Sequence, residues 1–296
     1  MRVGWIGLGA MGLPMATRLV SAGHDVKGYD LDADRVATLV AAGGTAASTL
    51  PAVASDVDVL ALMVATPAQA TAALFGPVDG VAGALATGSV VLVMATLGPE
   101  AVVAIAERLA ERGIAVVDAP VSGGVGRATT GELLFMVGGA PEHRLAVRPL
   151  VDAMASRVAE AGDAVGDGQR VKLVNQLLCG VHIAAAAEAL AFAESIGLDA
   201  RATWEAVRHG AAASFMLDDR GERMLAETHT DVRSALGIFV KDMGLVVGTA
   251  RQNGFTSPLA ATAEQLYLDG ANAGLARLDD SVLVEVMRGR HDPRGA

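Results

Sequence analysis

Short aliphatic and β-branched runs alternate with amphipathic segments through the first half of the chain. The runs have the length and composition of buried strands, and the segments between them repeat apolar residues every three or four positions, as a helix does. Strands are predicted at residues 2–6, 25–29, 57–64, 89–94, 114–118, 133–138 and 157–161, and helices at 11–22, 32–42 and 99–112. This alternation predicts an α/β doubly wound domain, with a mainly parallel sheet covered by helices on both faces.

The strand pattern ends near residue 162, and only helical periodicity follows. A turn-rich segment of glycine and aspartate at 162–168 separates the two patterns. Helices are predicted beyond it at 169–196, 200–209, 233–253 and 258–274. We therefore predict two domains, an α/β domain at 1–162 and an all-helical domain at 163–296.

The predicted helix 169–196 is longer than most helices and is apolar nearly all round in its C-terminal half. Such a helix must be buried on every side. We expect it to pack within the helical domain and against a second subunit, in a homodimer or homotetramer. Its most apolar stretch, 180–193, is interrupted by His182 and Glu188 and is too short to span a bilayer, so no membrane partner is expected.

Composition and charge narrow the classes of function. The net charge of −10 argues against a nucleic-acid partner, because phosphates require a basic surface. The single cysteine, Cys179, excludes an internal disulfide and favours a reducing compartment, so we expect a soluble cytoplasmic protein. No metal site is predicted.

A glycine-rich turn follows the first predicted strand and opens the first predicted helix. Its sequence is Gly7-Leu8-Gly9-Ala10-Met11-Gly12, and a strand–turn–helix context of this kind binds a dinucleotide. The first glycine permits the tight turn, the second lets the backbone approach the pyrophosphate, and the third allows close packing of helix on strand. The motif predicts a Rossmann domain whose first helix carries the pyrophosphate at its N-terminus.

The second predicted strand leads into Asp30, eighteen positions after Gly12. An acid at about this distance accepts hydrogen bonds from the adenosine ribose hydroxyls. A carboxylate there also repels the 2′-phosphate of NADP, and the next residue, Leu31, stands where an NADP enzyme more often has arginine. The sequence therefore predicts NAD as the cofactor.

Lys172, Asn175 and Gln176 are spaced i, i+3 and i+4 at the start of the long apolar helix, so they share one face. An ammonium group beside apolar surface loses hydration, which lowers its pKa towards the range useful for proton transfer. Oxidation of an alcohol requires removal of the hydroxyl proton as hydride leaves the carbon. We predict that Lys172 moves this proton and that the two amides orient the lysine and the substrate, although a lysine at a helix start is commonly only solvated.

Three further segments lie at or just after the carboxyl ends of predicted strands, where ligands of doubly wound folds bind. Ser122, Gly123 and Gly124 offer backbone N–H groups to an anion such as a carboxylate, or form an ordinary turn. Thr96 is placed to meet the nicotinamide end of the cofactor. Met63 and Val64 begin a turn that we expect to pass beneath the cofactor.

With these motifs the chain resembles the β-hydroxyacid dehydrogenases over nearly its whole length. The resemblance is carried by Gly7–Met15 with Pro14, by residues 118–124, by 168–176 and by Phe239-Val240-Lys241-Asp242. It implies a Rossmann domain, a helical domain and a catalytic lysine at Lys172. It also implies a serine or threonine beside the nicotinamide at Thr96, and a lysine on the cofactor and substrate side at Lys241, with Asp242 beside it.

Within this family the segments 175–189, 238–242 and 258–263 resemble the L-threonate dehydrogenase branch most. Gln176 stands where many members have asparagine, which favours the threonate and tartronate semialdehyde branches over 3-hydroxyisobutyrate. The expected reaction is NAD-dependent oxidation of a small hydroxycarboxylic acid, first of all L-threonate. Alternatives are a tartronate semialdehyde reductase, a 3-hydroxyisobutyrate dehydrogenase, an imine reductase, and a non-enzymatic dinucleotide-binding reader module; the presence of Lys172 argues against the last two.

Overall fold

A computed structural model describes residues 1–226 and 228–289, and it divides into two compact units, Met1–Lys172 and Leu173–Ala296. The division falls inside one long helix. The last seven residues of the predicted helical domain, 290–296, lie outside the described part of the chain.

The first unit contains a sheet in the order β3-β2-β1-β4-β5-β6-β8-β7, with β9 paired to β8. Strands β1 to β6 are parallel, β8 runs antiparallel to β6, and β9 runs parallel to β8. The first six follow the 3-2-1-4-5-6 order of a dinucleotide-binding fold. The strands are β1 (Arg2–Ile6), β2 (Asp25–Tyr29), β3 (Thr45–Ala46), β4 (Val59–Leu62), β5 (Val90–Val93), β6 (Ala115–Asp118), β7 (Val121–Ser122), β8 (Leu133–Gly138) and β9 (Ala155–Gly162).

Alternate side chains of each central strand enter two separate cores. In β4, Val59 and Ala61 belong to one core, whereas Leu60 and Leu62 belong to the other. Strand side chains point alternately to opposite faces, so a strand between two helical layers is apolar at every position. This is why the central strands read as continuous aliphatic runs, and it confirms the predicted α/β doubly wound class.

Helices cover both faces of this sheet. The first unit has α1 (Gly12–Ser21), α2 (Ala33–Ala41), α3 (Leu50–Val53), α4 (Pro67–Phe75), α5 (Pro99–Ala110), α6 (Gly124–Thr130) and α7 (Pro141–Met154), followed by the start of α8 (Asp167–Ser195). Helices α1 and α7 pack on one face, and α4 and α5 pack on the other. The Rossmann topology thus leaves the carboxyl ends of β1, β4, β5 and β6 as one edge for loops.

Helices joined by loops make up the described part of the second unit, with one isolated β-bridge between Ala235 and Asp279. It contains the rest of α8, then α9 (Ala200–Val207), α10 (Phe215–Met224), α11 (Leu236–Gln252), α12 (Pro258–Asn272) and α13 (Leu283–Met287), with a 3₁₀ turn at Asp280–Val282. One aliphatic core joins them, and Phe239 stacks on the buried Tyr267 within it, with the ring centroids 5.3 Å apart. The predicted all-helical second part is confirmed.

Helix α8 is 29 residues long, so it extends well beyond the apolar stretch that the sequence analysis judged too short to span a membrane. By length and composition alone it could cross a bilayer; its most apolar window has a mean hydropathy of 1.5 and is 44% buried within the protein. The same helix carries the buried polar side chains of Gln169, Lys172 and Gln176. Long apolar helices with buried polar groups also form the cores of water-soluble proteins.

Candidate active site

The glycine loop sits at the carboxyl end of β1, and two of its glycines are required by packing inside the protein. Gly7 has a φ of +93°, and a Cβ there would lie 2.4 Å from the carbonyl oxygen of Met63. A Cβ on Gly12 would lie 2.0 Å from the carbonyl oxygen of Gly7. At Gly9, by contrast, the nearest atom to such a Cβ would be an Arg35 nitrogen at 3.9 Å. Open space at Gly9 fits the close approach of a pyrophosphate, which the sequence analysis predicted for this glycine.

Met63 and Val64 lie beside the glycine loop, as expected for residues after the neighbouring strand. The Met63 N–H donates to the Ile6 carbonyl at 2.9 Å. The Val64 Cγ1 lies 3.3 Å from the position that a Cβ of Gly7 would take. The structure therefore places these two predicted cofactor residues against the loop at the point where the strand order reverses.

Asp30 is tied to the glycine loop from the end of β2. One carboxylate oxygen accepts from the Leu8 N–H at 2.6 Å, and the other accepts from the Asp32 N–H at 2.9 Å. The Arg35 guanidinium lies 3.9 Å from the same carboxylate and forms a closer ion pair with Asp32, at 3.1 Å. Ala10 and Met11 complete the turn, with Met11 as the N-cap of α1.

The first turn of α8 is held against the carboxyl ends of β5 and β6, all within the first unit. The Asp118 carboxylate accepts from the backbone N–H groups of Gly166 and Gln169, both at 2.8 Å. Burial raises the pKa of Asp118, and those two N–H groups act in the opposite direction. A Cβ on Gly168 would lie 2.4 Å from the Met136 carbonyl oxygen, so only glycine permits this close seating.

The side chain of Gln169 reaches the loop that carries Thr96. Its amide oxygen accepts from the N–H groups of Leu97 and Gly98, both at 3.0 Å, and its amide nitrogen donates to the Ala95 carbonyl at 2.9 Å. The loop around Thr96 is thus bonded to the helix on which Lys172 follows one turn later. Lys172 itself is only 6% exposed.

In the second unit, four of the predicted site residues form one polar cluster. Gln176 donates from its amide nitrogen to Asp242, and it accepts from the Asn175 amide at 2.9 Å. The Lys241 ammonium lies 2.8 Å from the other oxygen of Asp242. Gln176 and Asp242 are buried, whereas Lys241 is partly exposed. The pairing of Asn175 with Gln176 fixes the orientation of both amides.

Ser122, Gly123 and Gly124 occupy the end of β7 and the start of α6, rather than a free turn after β6. Ser122 pairs with Leu134 of β8, so its backbone belongs to the antiparallel part of the sheet. Gly123 and Gly124 have φ values of +142° and +72°. Apart from its chain neighbours and its own helical turn, no atom of the described residues lies within 4 Å of the Cβ position of Gly124. This open, left-handed backbone leaves room for a ligand beside Gly124.

Sequence reasoning missed the role of Gln169 and Asp118 in this part of the fold. Both residues stood inside the motifs that were recognised, but neither side chain was assigned a function. The available signals were a carboxylate at the end of a buried strand and an amide directly after Gly168. Among residues 1–226 and 228–289, no group of three or more metal-ligating side chains is found.

Comparison with known proteins identifies both parts of the chain. A family model described as the NAD-binding domain of 6-phosphogluconate dehydrogenase matches residues 2–162. A second, described as the NAD-binding of NADP-dependent 3-hydroxyisobutyrate dehydrogenase, matches residues 166–287. Together the two matches account for nearly the whole chain.

Relatives that match over nearly the full length of the chain point to the same family. L-threonate dehydrogenase from Cupriavidus necator is 39% identical over 287 residues, which cover 97% of this chain and 96% of the relative. A 2-hydroxy-3-oxopropionate reductase from Escherichia coli is 33% identical over 289 residues, covering 97% of each. The crystal structure of a 3-hydroxyisobutyrate dehydrogenase from Salmonella typhimurium matches with a TM-score of 0.91 at 39% identity, covering 97% of this chain and 99% of that one.

The expected resemblance is therefore confirmed on three grounds. The strand order is that of a dinucleotide-binding domain, the glycine loop has the packing and the open space that a pyrophosphate needs, and the relatives match from end to end. The chain belongs to the 3-hydroxyisobutyrate dehydrogenase-like family of β-hydroxyacid dehydrogenases, and it is an NAD-dependent hydroxyacid oxidoreductase.

Proposed function

We propose that this enzyme oxidises a small, polyhydroxylated carboxylic acid, with L-threonate as the first substrate. The observation that carries this choice is the 39% identity with an L-threonate dehydrogenase along nearly the full length of both chains. Gln176 supports it, because the residue is buried and its amide is oriented by Asp242. Beyond its bonds to Asp242 and Asn175, this amide has a second N–H and a second acceptor position, which suit a substrate hydroxyl better than a methyl group.

The proposed roles follow from chemistry and position. Lys172 takes the hydroxyl proton and returns it in the reverse reaction, while the nicotinamide, when bound, exchanges hydride with the substrate carbon. Asn175 and Gln176 hold a substrate hydroxyl. Ser122, Gly123 and Gly124 bind the carboxylate through backbone N–H groups, with Asp242 as a further substrate-side residue. The proposed cofactor residues are Gly7, Leu8, Gly9, Ala10, Met11, Gly12, Asp30, Met63, Val64, Thr96 and Lys241.

A tartronate semialdehyde reductase is the second candidate. It is supported by the relative named 2-hydroxy-3-oxopropionate reductase, at 33% identity over the whole chain. The same residues would serve it in the reducing direction, with Lys172 as the proton donor. The two candidates differ in direction and substrate, not in the groups that act.

We also propose a cytoplasmic homodimer or homotetramer in which α8 contacts a second copy. Val174, Leu178 and Phe192 are between 50% and 63% exposed and lie on one side of α8, because they are spaced by nearly whole numbers of turns. The exposed Ala185 lies between them on the same side. Glu188, also exposed, borders these side chains. An exposed apolar stripe on a long helix is typical of a subunit interface. We further propose that the two domains of the chain meet after residue 162.

The first experiment measures NADH formation from NAD with L-threonate, D-glycerate and 3-hydroxyisobutyrate, each at saturating concentration. We expect a strong preference for L-threonate. Tartronate semialdehyde with NADH tests the second candidate in reverse. Absence of turnover with all four compounds, despite tight NADH binding, would contradict the proposal and direct the search to other hydroxyacids and to imines.

The role of Lys172 is tested by Lys172→Met, which removes the ammonium and keeps the length of the side chain. We expect turnover to fall by about 10²–10⁴-fold with NADH binding retained, which is the typical contribution of a general acid–base group. The chain contains three lysines, and Lys27→Met is the matched control. Lys27 bonds the carbonyls of Ala52 and Ser55 in the first unit. Near-normal turnover of Lys172→Met would rule the assignment out.

A further inference from the structure

The amide of Gln169 holds the backbone on both sides of Thr96. The side chain is fully buried, and it makes three hydrogen bonds of 2.9–3.0 Å to a four-residue loop at the carboxyl end of β5. The oxygen accepts from two N–H groups after Thr96, and the nitrogen donates to the carbonyl before it. Such a pattern requires one donor and one acceptor in fixed relative positions, which an amide side chain of this length provides.

The backbone of Gln169 is itself fixed. Asp118, at the end of the neighbouring strand β6, accepts from its N–H and from that of Gly166. The helix start also lies directly against the sheet, because a Cβ on Gly168 would be 2.4 Å from the Met136 carbonyl oxygen. A chain of hydrogen bonds therefore runs from β6 through the first turn of α8 to the loop after β5, entirely within the first unit.

We infer that Gln169 is a positioning residue, which sets the Thr96 loop in register with the helix turn that carries Lys172. The inference rests on the proposed function, in which Thr96 meets the nicotinamide and Lys172 moves the proton. Gln169 bonds the loop backbone on both sides of Thr96, and it acts by fixing the spacing of two groups that do the chemistry. Displacement of a reacting group by about 1 Å can cost about 10²-fold in rate, so a small slip of this loop would show in kcat.

Two substitutions distinguish a positioning role of Gln169 from a purely structural role. Gln169→Met keeps the volume and removes all three hydrogen bonds. Gln169→Glu keeps the acceptor but, while ionised, sets a carboxylate against the Ala95 carbonyl; when protonated, it regains a donor and resembles glutamine. If Gln169 only filled space, Gln169→Met would change thermal stability alone. The kcat of Gln169→Glu relative to the native kcat would then not depend on pH.

The experiment compares kcat, KM for the hydroxyacid, NADH affinity and thermal stability in both variants. For Gln169→Met we expect kcat to fall about 10–100-fold, with NADH affinity within about 3-fold of the native value. For Gln169→Glu we expect the ratio of its kcat to the native kcat to rise as the pH is lowered. Gln265→Met, at an exposed position on α12 where the amide bonds only Asp269 in the described structure, is the matched control and should leave every value unchanged.

A readout that needs no substrate distinguishes a failure of the loop positioning from a failure of the proposed function. Amide hydrogen exchange of the peptide containing Leu97 and Gly98 should be at least 10-fold faster in Gln169→Met than in the native protein or in Gln265→Met. Native inactivity with every hydroxyacid, together with accelerated exchange, would refute the proposed function while upholding the positioning of the loop. Unchanged exchange, or normal kcat with lowered stability alone, would overturn the inference.

Discussion

Some residues that are proposed to bind a ligand also form hydrogen bonds within the protein. Asp30 is the clearest case, because its carboxylate closes the glycine loop through the Leu8 N–H and also stands where it would meet the adenosine ribose. Removal of the side chain would therefore disturb the loop as well as the charge. A test of the charge therefore requires a substitution that removes it and keeps the hydrogen bond from the Leu8 N–H.

Asp30→Asn removes the negative charge and keeps the bond that closes the loop, since its amide oxygen can still accept from the Leu8 N–H. The bond from the Asp32 N–H is lost, because the amide nitrogen only donates. We expect the preference for NAD over NADP to narrow by about 10-fold, because the repulsion of the 2′-phosphate disappears and a tenfold change corresponds to only about 1.4 kcal/mol. The measurement is kcat/KM with each cofactor. Asp32→Asn is the control, because Asp32 is the N-cap of α2 and is expected to change the ratio less. An unaltered ratio in Asp30→Asn would refute the role of Asp30 in selection.

At the scale of elements, α8 combines three different surfaces along its 29 residues. Its first turn is bonded to the sheet edge, the face with Lys172 and Gln176 is buried, and the opposite side exposes an apolar stripe. Because the helix is apolar nearly all round, its sequence does not specify a single buried face. Which side is covered depends on the elements that pack against it. The stripe is the side that the described chain leaves uncovered.

Leu178→Asp tests whether a second copy covers this stripe. A charge in an apolar subunit interface is strongly unfavourable, so we expect the proposed oligomer to dissociate, with a fall in mass measured by analytical ultracentrifugation. Leu145→Asp is the control, because Leu145 is 74% exposed on α7 and lies outside the stripe. A native protein that is already monomeric, or an unchanged mass in Leu178→Asp, would contradict the interface.

At the scale of the whole molecule, buried ion pairs join distant parts of the second unit. Arg223 pairs with Asp279, and Arg220 pairs with Asp280 at 3.0 Å, which links α10 to the 3₁₀ turn about sixty residues later. Burial acts to raise the pKa of Asp279, but the Ser281 hydroxyl, the Arg223 charge and backbone N–H groups outweigh it and leave the pKa lowered. Burial raises the pKa of its neighbour Asp280.

These directions predict how stability depends on pH. A lowered folded-state pKa means that the contribution of Asp279 is fully present above its unfolded pKa of about 4 and is lost as the pH falls through the folded value. Asp279→Asn should therefore lower the free energy of unfolding by ~3 kcal/mol at neutral pH, as for a broken buried pair, and by less below about pH 4. Urea unfolding at neutral pH and below about pH 4 measures these free energies of unfolding. Asp280→Asn should not show the same loss on acidification, and a pH-independent effect of Asp279→Asn would contradict the linkage.

The predicted elements that were most accurate are those with a strong local pattern. The strands at 2–6, 25–29 and 133–138 agree with the structure to the residue, and the long helix differs by two residues at its start and by one at its end. Helix α7 was not predicted, and Pro149 in its interior is the residue that argues against a helix there. Strands β3 and β7 have only two residues each, too few for any periodicity to show.

The sequence by itself determined the fold class, the two-part architecture, the dinucleotide loop and the family. These depend on periodicity and on the spacing of residues close together in the chain, which the backbone geometry of helices and turns dictates locally. The tertiary structure alone decided the pairings that bring Asp30 to Leu8, Gln169 to the Thr96 loop and Gln176 to Asp242. These pairs are separated by 22 to 72 residues. Their contacts depend on the path of the whole backbone, because a hydrogen bond forms only where two distant segments are carried within about 3 Å of each other.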